Sequence, residues 1–208
     1  MRKPIAYWDR MRYSEREKKG EGRLEQQVCA FTGHRPERFV FGYQEDHPDC
    51  VRLKGAIATA IGELVHAGVT TFISGMAQGV DLWAAREVLR RRRQQPQLRL
   101  IAALPCADQA ARWPEPLRQE YEEILVFSDE RVCLHGRYTP HCMMERNRWM
   151  VDHAGVLLAV YDGVSGGGTA ATVRYAQGKR REIWLLDPVS LRLARMSPPE
   201  ENEQMSLG

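Results

Sequence analysis

Two glycine-rich turns, each lying between an apolar run and a helical pattern, constrain the fold of this chain more than any other feature. The first turn spans 74–81 (SGMAQGVD) and follows the apolar run 69–73. The second spans 162–169 (DGVSGGGT) and follows the run 155–161. A strand, a glycine turn and a helix in succession place unpaired N–H groups and the positive end of a helix dipole at one point. Because such a point attracts anions, the two turns predict a site for a phosphorylated ligand in an α/β domain.

Apolar runs alternate with amphipathic segments over most of the chain. Strands are predicted at 27–32, 69–74, 98–104, 124–127, 155–161 and 182–186, with Pro105 stopping the third. Helices are predicted at 53–65, 80–93, 107–112, 117–123, 141–153 and 167–178. Continuously apolar strands separated by helices are typical of a mainly parallel sheet that helices cover on both faces. The pattern therefore predicts an α/β fold of this kind.

Three loops are expected to meet at the carboxyl edge of that sheet, where parallel α/β folds bind their ligands. They begin at Thr32, Ser74 and Asp162, each at the end of a predicted strand. Their convergence predicts one shared crevice for a nucleotide. The predicted ligand-binding residues in these loops are Gly33, His34, Arg35, Ser74, Gly75, Gln78, Gly79, Asp81, Asp162, Gly166, Gly167, Gly168 and Thr169.

The residue types in the first and third loops suit a phosphorylated ligand. Glycines at 166–168 let a phosphate approach the backbone without Cβ clashes, and Thr169 adds a hydroxyl donor. Arg35 can bind a phosphate or a carboxylate through two parallel hydrogen bonds. His34 can donate or shuttle a proton near neutral pH.

Two carboxylates have alternative roles that the sequence leaves open. Asp162 can hold either a ribose hydroxyl or an amide of its own loop. Asp81 lies in the first turn of a predicted helix, where it can contact the ligand or simply stabilise the helix N-terminus.

The predicted helix 141–153 contributes a further candidate residue. Asn147 falls on the apolar face of this helix, so its amide is expected to have a fixed hydrogen-bond partner and is a candidate ligand-binding residue. Arg146 and Arg148 point away from that face. Either one of them reaches the crevice, or both are solvated helix charges.

Composition excludes several classes of protein. The net charge of +3 is too small to favour a nucleic-acid or membrane partner. No stretch approaches the roughly 20 apolar residues of a membrane span, and residues 1–27 lack the apolar core of a signal peptide. Five cysteines form an odd set without disulfide-framework spacing. Free thiols, and hence a cytoplasmic location, are expected.

The chain is expected to consist of a charged N-terminal extension at 1–25, an α/β domain at 26–188 and a C-terminal tail at 189–208. The one group of potential metal ligands lies close together in sequence at Cys133, His135, His141 and Cys142. Its spacing matches no familiar structural zinc site, and Pro140 separates its halves. No metal is therefore predicted.

Four motifs, taken in order, resemble those of the YpsA-like family. They are 32–36 (TGHRP), 74–81, Arg146-Asn147 and 162–169, within a similarity that covers residues 27–187. This family is part of the SLOG superfamily, together with the LOG phosphoribohydrolases and the DNA-processing protein DprA. The resemblance implies a Rossmann-like fold and binding of a nucleotide or a nucleotide-derived ligand. It also implies a link to bacterial cell division and growth control.

The comparison with LOG enzymes implies an enzymatic alternative, the cleavage of the N-glycosidic bond of a nucleotide. Arg146 matches the arginine that these enzymes use, and it is the candidate catalytic residue. The LOG glutamate three residues after the glycine-loop threonine is replaced by Thr172. Loss of a general acid or base typically costs about 10²–10⁴-fold in rate. Whether the protein is an enzyme stays open at this point.

The comparison with DprA implies a third alternative, a single-stranded DNA-binding module. Such a module needs a basic track with aromatic platforms, and the small net charge does not favour one. The leading expectation is a sensor or regulator that binds a nucleotide or a dinucleotide derivative, of the NAD or ADP-ribose type. Analogy with the superfamily favours a homodimer. The sequence assigns no cofactor and identifies no protein partner.

Overall fold

The computed structural model describes residues 27–197. The extension predicted at 1–25, and residues 198–208 of the predicted C-terminal tail, lie outside the described residues.

A seven-stranded sheet with the order β4-β3-β2-β1-β5-β6-β7 forms the centre of the molecule. Neighbouring strands are parallel except for β6 and β7, which are antiparallel. The sheet therefore confirms the predicted α/β fold with a mainly parallel sheet. Its strands are β1 (Val28–Gly33), β2 (Thr71–Ser74), β3 (Arg99–Cys106), β4 (Glu130–His135), β5 (Val156–Val160), β6 (Glu182–Leu186) and β7 (Leu193–Met196).

Helices cover both faces of the sheet, as predicted. One buried cluster joins the sheet to the first three helices, through residues such as Leu53, Trp83 and Ile124. A second cluster joins the opposite face to the last two helices, through residues such as Met150 and Val173. The helices are α1 (Pro48–His66), α2 (Val80–Arg92), α3 (Glu115–Phe127), α4 (Cys142–Asp152) and α5 (Gly167–Gly178).

The direction of strand addition reverses next to β1. The chain builds β2, β3 and β4 outward on one side of β1, and β5 then pairs with its other side. Loops on either side of such a reversal diverge to opposite faces and leave a crevice beyond the carboxyl ends of the strands. The loops after β1 and β5 flank this crevice.

Two predictions for the segment 107–127 are wrong. Residues 107–112 form turns and not a helix, and 124–127 is the last turn of α3 and not a strand. The apolar run 124–127 looks like a strand, but Ile124 is buried whereas Val126 and Phe127 are exposed. This burial pattern continues the helical face that begins with Tyr121.

Strands β3, β4 and β7 also differ from the prediction. Pro105 lies inside β3 and does not stop it, because β2 pairs with β3 only as far as Ala102 and needs no N–H from the proline. The edge strand β4 was missed because only three of its six residues, 132–134, are apolar, and polar residues flank them on both sides. Strand β7 lies in the range predicted as a tail, so the sheet continues to Met196.

All five cysteines are free thiols, as predicted. Within residues 27–197, no helix combines the length and the apolar character that crossing a membrane requires.

Candidate functional site

A crevice of about 400 Å³ lies beyond the carboxyl ends of β1 and β5. It is built by the loop after β1, the loop after β5, the start of α2 and one face of α4. The structure therefore brings together residues from three loops that are far apart in sequence. The predicted site residues that line it are Gly33, His34, Arg35, Asp81, Arg146, Asn147, Gly166, Gly167, Gly168 and Thr169.

The N-terminus of α5 opens into this crevice. Gly166 is its N-cap residue, and no side chain of the described residues caps the helix. Gly166 and Gly167 have φ values of +106° and +76°, which residues other than glycine rarely adopt. A Cβ atom at Gly168 would meet no atom within 4 Å. The first turn of α5 thus presents its N–H groups to open space, as an anion site requires.

The loop between β2 and α2 differs from that arrangement, because its polar groups form hydrogen bonds with one another. The Ser74 hydroxyl donates to the Asp81 carbonyl at 2.9 Å and accepts from the Met76 N–H at 3.1 Å. The Asp81 carboxylate accepts from the Ala77 N–H at 3.3 Å. The N–H groups of Met76 and Ala77 are therefore occupied by the protein itself, and this loop supports the crevice wall.

A buried charge pair joins this loop to α4. The Arg146 side chain is about 5% exposed, and its Nη1 lies 3.8 Å from Oδ2 of Asp81. Nη1 also donates to the Gly75 carbonyl, and a Cβ on Gly75 would collide with the guanidinium. Burial raises the pKa of Asp81 above its ordinary value, and the Arg146 guanidinium and the Ala77 N–H oppose that rise. Glycine at position 75 is thus required by Arg146.

A chain of hydrogen bonds continues from Arg146 to the glycine turn of α5. Arg146 Nε donates to Asn147 Oδ1 at 2.8 Å, and Asn147 Nδ2 donates to the Thr172 hydroxyl at 2.9 Å. That hydroxyl donates to the Gly168 carbonyl at 2.8 Å. The prediction that Asn147 has fixed partners is confirmed. Thr172 is part of this structural chain, with its hydroxyl used as both donor and acceptor.

His34 lines the opposite side of the crevice, and Asp162 lies behind it. His34 is 7% exposed, and its Nε2 lies 3.0 Å from an Asp162 carboxylate oxygen, although the angle falls outside that of a hydrogen bond. Arg38 lies 3.7 Å from the same carboxylate. Burial raises the pKa of Asp162, but the Val164 N–H, His34 and Arg38 together lower it below its ordinary value. Asp162 is therefore the anionic partner of His34, and it also holds an amide of its own loop at 3.0 Å.

Five predicted site residues lie outside the lining of the crevice. Ser74 and Gly75 lie behind it, and Asp162 lines a neighbouring cavity behind His34. Gln78 lines a cavity on the other side, where its side-chain amide lies 2.9 Å from the oxygen of Tyr43, whose hydroxyl donates to Glu37. Gly79 has a φ of +85° and packs against Pro36.

Sequence reasoning missed several residues that line the crevice. Glu37 and Arg38 belong to a short 3₁₀ turn, Pro36–Arg38, directly after the predicted first loop. Their position directly after the predicted loop is the sequence signal that could have identified them as lining residues. Arg148, by contrast, is exposed and lies over the ring of Tyr175, away from the crevice. The lining residues that were missed are Phe31, Thr32, Glu37, Arg38, Ala77 and Met143.

We predict that Gly33→Ala destabilises the protein, since a Cβ at this position would lie 2.6 Å from the side chain of Val80. Overpacking of this kind typically costs about 1–3 kcal/mol. Urea unfolding of the single variants and of the Gly33→Ala/Val80→Gly double variant, which removes the Val80 Cβ as well as its methyl groups, measures this cost. The double variant should be more stable than the sum of the two single effects, and strict additivity would contradict the clash. Gly136→Ala, where the added Cβ meets no atom within 4 Å, is the control.

Comparisons with known proteins agree with this architecture. The model of the YspA SLOG family matches residues 29–191. A UPF0398 protein of Bacillus velezensis is 29% identical over 158 residues, which is 74% of this chain and 85% of that protein. A UPF0398 protein of Bacillus cereus is 30% identical over 155 residues, which is 73% of this chain and 83% of that protein.

Two solved structures of DNA processing protein A (DprA) share the fold. The protein from Streptococcus pneumoniae matches 80% of this chain and 55% of its own length, with a TM-score of 0.51 and 16% identity. The protein from Helicobacter pylori, whose structure addresses its single-stranded DNA binding mode, matches 80% of this chain and 68% of its own length, with a TM-score of 0.53 and 19% identity. At such identities the likeness concerns the fold.

Proposed function

Because the chain belongs to the YspA SLOG family, we propose that it binds a phosphorylated, nucleotide-type ligand in the crevice beyond β1 and β5. The observation that carries this proposal is the N-terminus of α5, which no side chain of the described residues caps and which opens into the crevice. Phosphate is the group that such a helix terminus stabilises. NAD and ADP-ribose are ligands of this type.

The charges around the crevice favour an anion. Arg35 and Arg38 line it at the loop after β1, and Arg146 lines it from α4. Arg146 is already paired with Asp81, and Arg38 lies 3.7 Å from Asp162. Arg35, which has no salt bridge within the described part of the chain, is therefore the main cation left to meet a phosphate. Asp81 is likewise committed to Arg146 and to the Ala77 N–H. Asp162 lies outside the crevice lining and is held by His34, Arg38 and its own loop. We therefore assign the ribose hydroxyls to Glu37, the remaining carboxylate of the lining, and not to Asp81.

The arrangement favours binding over N-glycosidic cleavage. Thr172 replaces the LOG glutamate, and its hydroxyl is held between Asn147 and the Gly168 carbonyl. Glu145, next to Arg146 in sequence, is exposed and pairs with His135 outside the crevice. Among the residues that line the crevice, Glu37 is the carboxylate without a buried cation partner, and it accepts from the Tyr43 hydroxyl. We infer a role as a ligand sensor or regulator, linked to growth or cell division.

Ligand-induced stabilisation tests the proposal. A nucleotide at 100 times its dissociation constant adds about 2.7 kcal/mol to the free energy of unfolding. For a domain of this size, that corresponds to a rise in Tm of about 5–10 °C. We expect this rise with AMP, ADP-ribose or NAD, measured by differential scanning fluorimetry, and none with adenosine, which lacks the phosphate. Equal stabilisation by adenosine and AMP would contradict the phosphate assignment.

Two further measurements separate the alternatives. Chromatography after incubation with AMP, NAD and ADP-ribose detects released base, which would indicate an N-glycosidase. Binding of a single-stranded oligonucleotide that weakens steeply with salt would indicate a DNA-binding module of the DprA kind. We expect intact nucleotide and no such oligonucleotide binding.

A further inference from the structure

A second cavity of about 290 Å³ adjoins the crevice, and we call it the side pocket. The two share three lining residues, Arg35, Ala77 and Met143. The side pocket extends toward residues 107–114, which form turns where the sequence predicted a helix at 107–112. A ligand whose phosphate lies at the start of α5 can therefore extend past Arg35 into this pocket.

Aromatic rings form part of the side-pocket wall. Trp113 is half-buried and is held edge-on by Tyr121, with ring centroids 5.2 Å apart. Tyr138 is 61% exposed and lines the same pocket, as does Arg112. Aromatic rings and guanidinium planes are the surfaces on which proteins stack nucleobases. Neither the phosphate nor the ribose of a nucleotide would use such a wall.

An amide of fixed orientation completes the pocket. Gln109 lines the side pocket, and its Nε2 donates to the Met76 carbonyl. Gln109 Oε1 is buried and has no hydrogen-bond partner in the described part of the chain. A buried acceptor without a partner costs about 1–3 kcal/mol. A hydrogen-bond donor on the ligand would relieve that cost.

We propose that the side pocket binds the base of the nucleotide, and that this base carries an exocyclic amino group that donates to Gln109 Oε1. The assignment rests on the proposed function, because the phosphate at α5 fixes the end of the ligand from which the base extends. Stacking on the exposed Tyr138 ring supplies affinity, and the amide supplies selectivity. Adenine has such an amino group, whereas hypoxanthine presents a carbonyl at the same position and would face Oε1 with a second acceptor.

Calorimetric titration with AMP, inosine 5′-monophosphate and ribose 5-phosphate tests the assignment. We expect AMP to bind about tenfold more tightly than inosine 5′-monophosphate, because the inosine nucleotide leaves the Gln109 acceptor unpaired. Gln109→Met should remove this discrimination. Equal affinities of the two nucleotides for the unmodified protein would overturn the proposal.

Tyr138→Ala supplies an independent test, since a ring this exposed contributes little to the stability of the fold. Loss of base stacking should weaken AMP binding about fivefold or more and leave ribose 5-phosphate binding unchanged. Phe127→Ala is the matched control, because Phe127 is comparably exposed, at 54%, and lies outside the side pocket and the crevice. Unchanged AMP affinity in Tyr138→Ala would overturn the base assignment. Failure of all three compounds to bind the unmodified protein would instead overturn the phosphate site itself.

Discussion

Gly168→Glu is expected to abolish the rise in Tm that AMP produces, without loss of stability in the unliganded protein. Gly168 is the second residue of α5, and its backbone does not require glycine, since its φ is not positive. The new side chain would enter open space in the crevice, where it would place a carboxylate at the position assigned to phosphate. A negative charge in the first turn of a helix stabilises that helix by about 0.3–1 kcal/mol. The substitution thus separates ligand binding from folding.

Differential scanning fluorimetry with and without AMP measures the Tm of the unliganded variant and its rise with AMP in one experiment. Gly55→Glu is the matched control, since Gly55 is an exposed residue of α1 where an added Cβ also meets no atom within 4 Å. We expect Gly55→Glu to retain the full response to AMP. A response that survives in Gly168→Glu would place the phosphate elsewhere than at the start of α5.

Arg146→Ala is expected to lower the free energy of unfolding by about 3–5 kcal/mol, the usual effect of removing one partner of a buried ion pair. Its loss would leave the Asp81 carboxylate buried and would remove the donor to the Gly75 carbonyl. It would also break the hydrogen-bond chain to Asn147 at its first member. Arg148→Ala is the control, because Arg148 lies on the same helix and is exposed. A loss in Arg146→Ala no larger than in Arg148→Ala would contradict the buried pair.

The penalty in Arg146→Ala should also depend on pH. Burial already raises the pKa of Asp81, and removing the guanidinium that opposes this effect would raise it further. A group with a raised pKa in the folded state contributes stability fully below its unfolded pKa, about 3.9 for aspartate, and loses it as the pH rises through the folded value. Urea unfolding should therefore show a larger penalty at pH 8 than at pH 5. A penalty that is the same at both values would indicate that Asp81 is not the group left unpaired.

Local patterns accounted for most of the fold. Helix α5 and strand β6 have the predicted bounds. The glycine turn and the apolar face that follows it mark the helix, and a short apolar run marks the strand, so each signal lies within a few neighbouring residues. The segment 107–127 was predicted poorly for the opposite reason. Its apolar run at 124–127 fits either a strand or a helix, and only the neighbours of Ile124 decide between them.

The two glycine turns illustrate how far sequence reasoning reached into the site. Both were predicted to present N–H groups to a ligand, and their sequences offer no means of distinguishing them. In the structure, Ser74 and Asp81 occupy amides of the first turn, whereas no side chain of the described residues caps the helix that follows the second. Whether an amide is already occupied depends on side-chain orientation, which the sequence pattern does not contain.

The sequence by itself determined the alternation of strands and helices apart from β4, β7 and the segment 107–127. It also determined the glycines at the helix starts and the edge of the sheet at which the loops end. These features follow from short-range periodicity, and from the rule that parallel strands end at a common edge. Only the tertiary structure decided that Arg146 is buried against Asp81 and that the turns at 107–114 enclose a pocket beside Arg35. The hydrogen bond between Arg146 and the Gly75 carbonyl, for example, joins residues 71 positions apart, and such contacts exist only because packing brings the segments together.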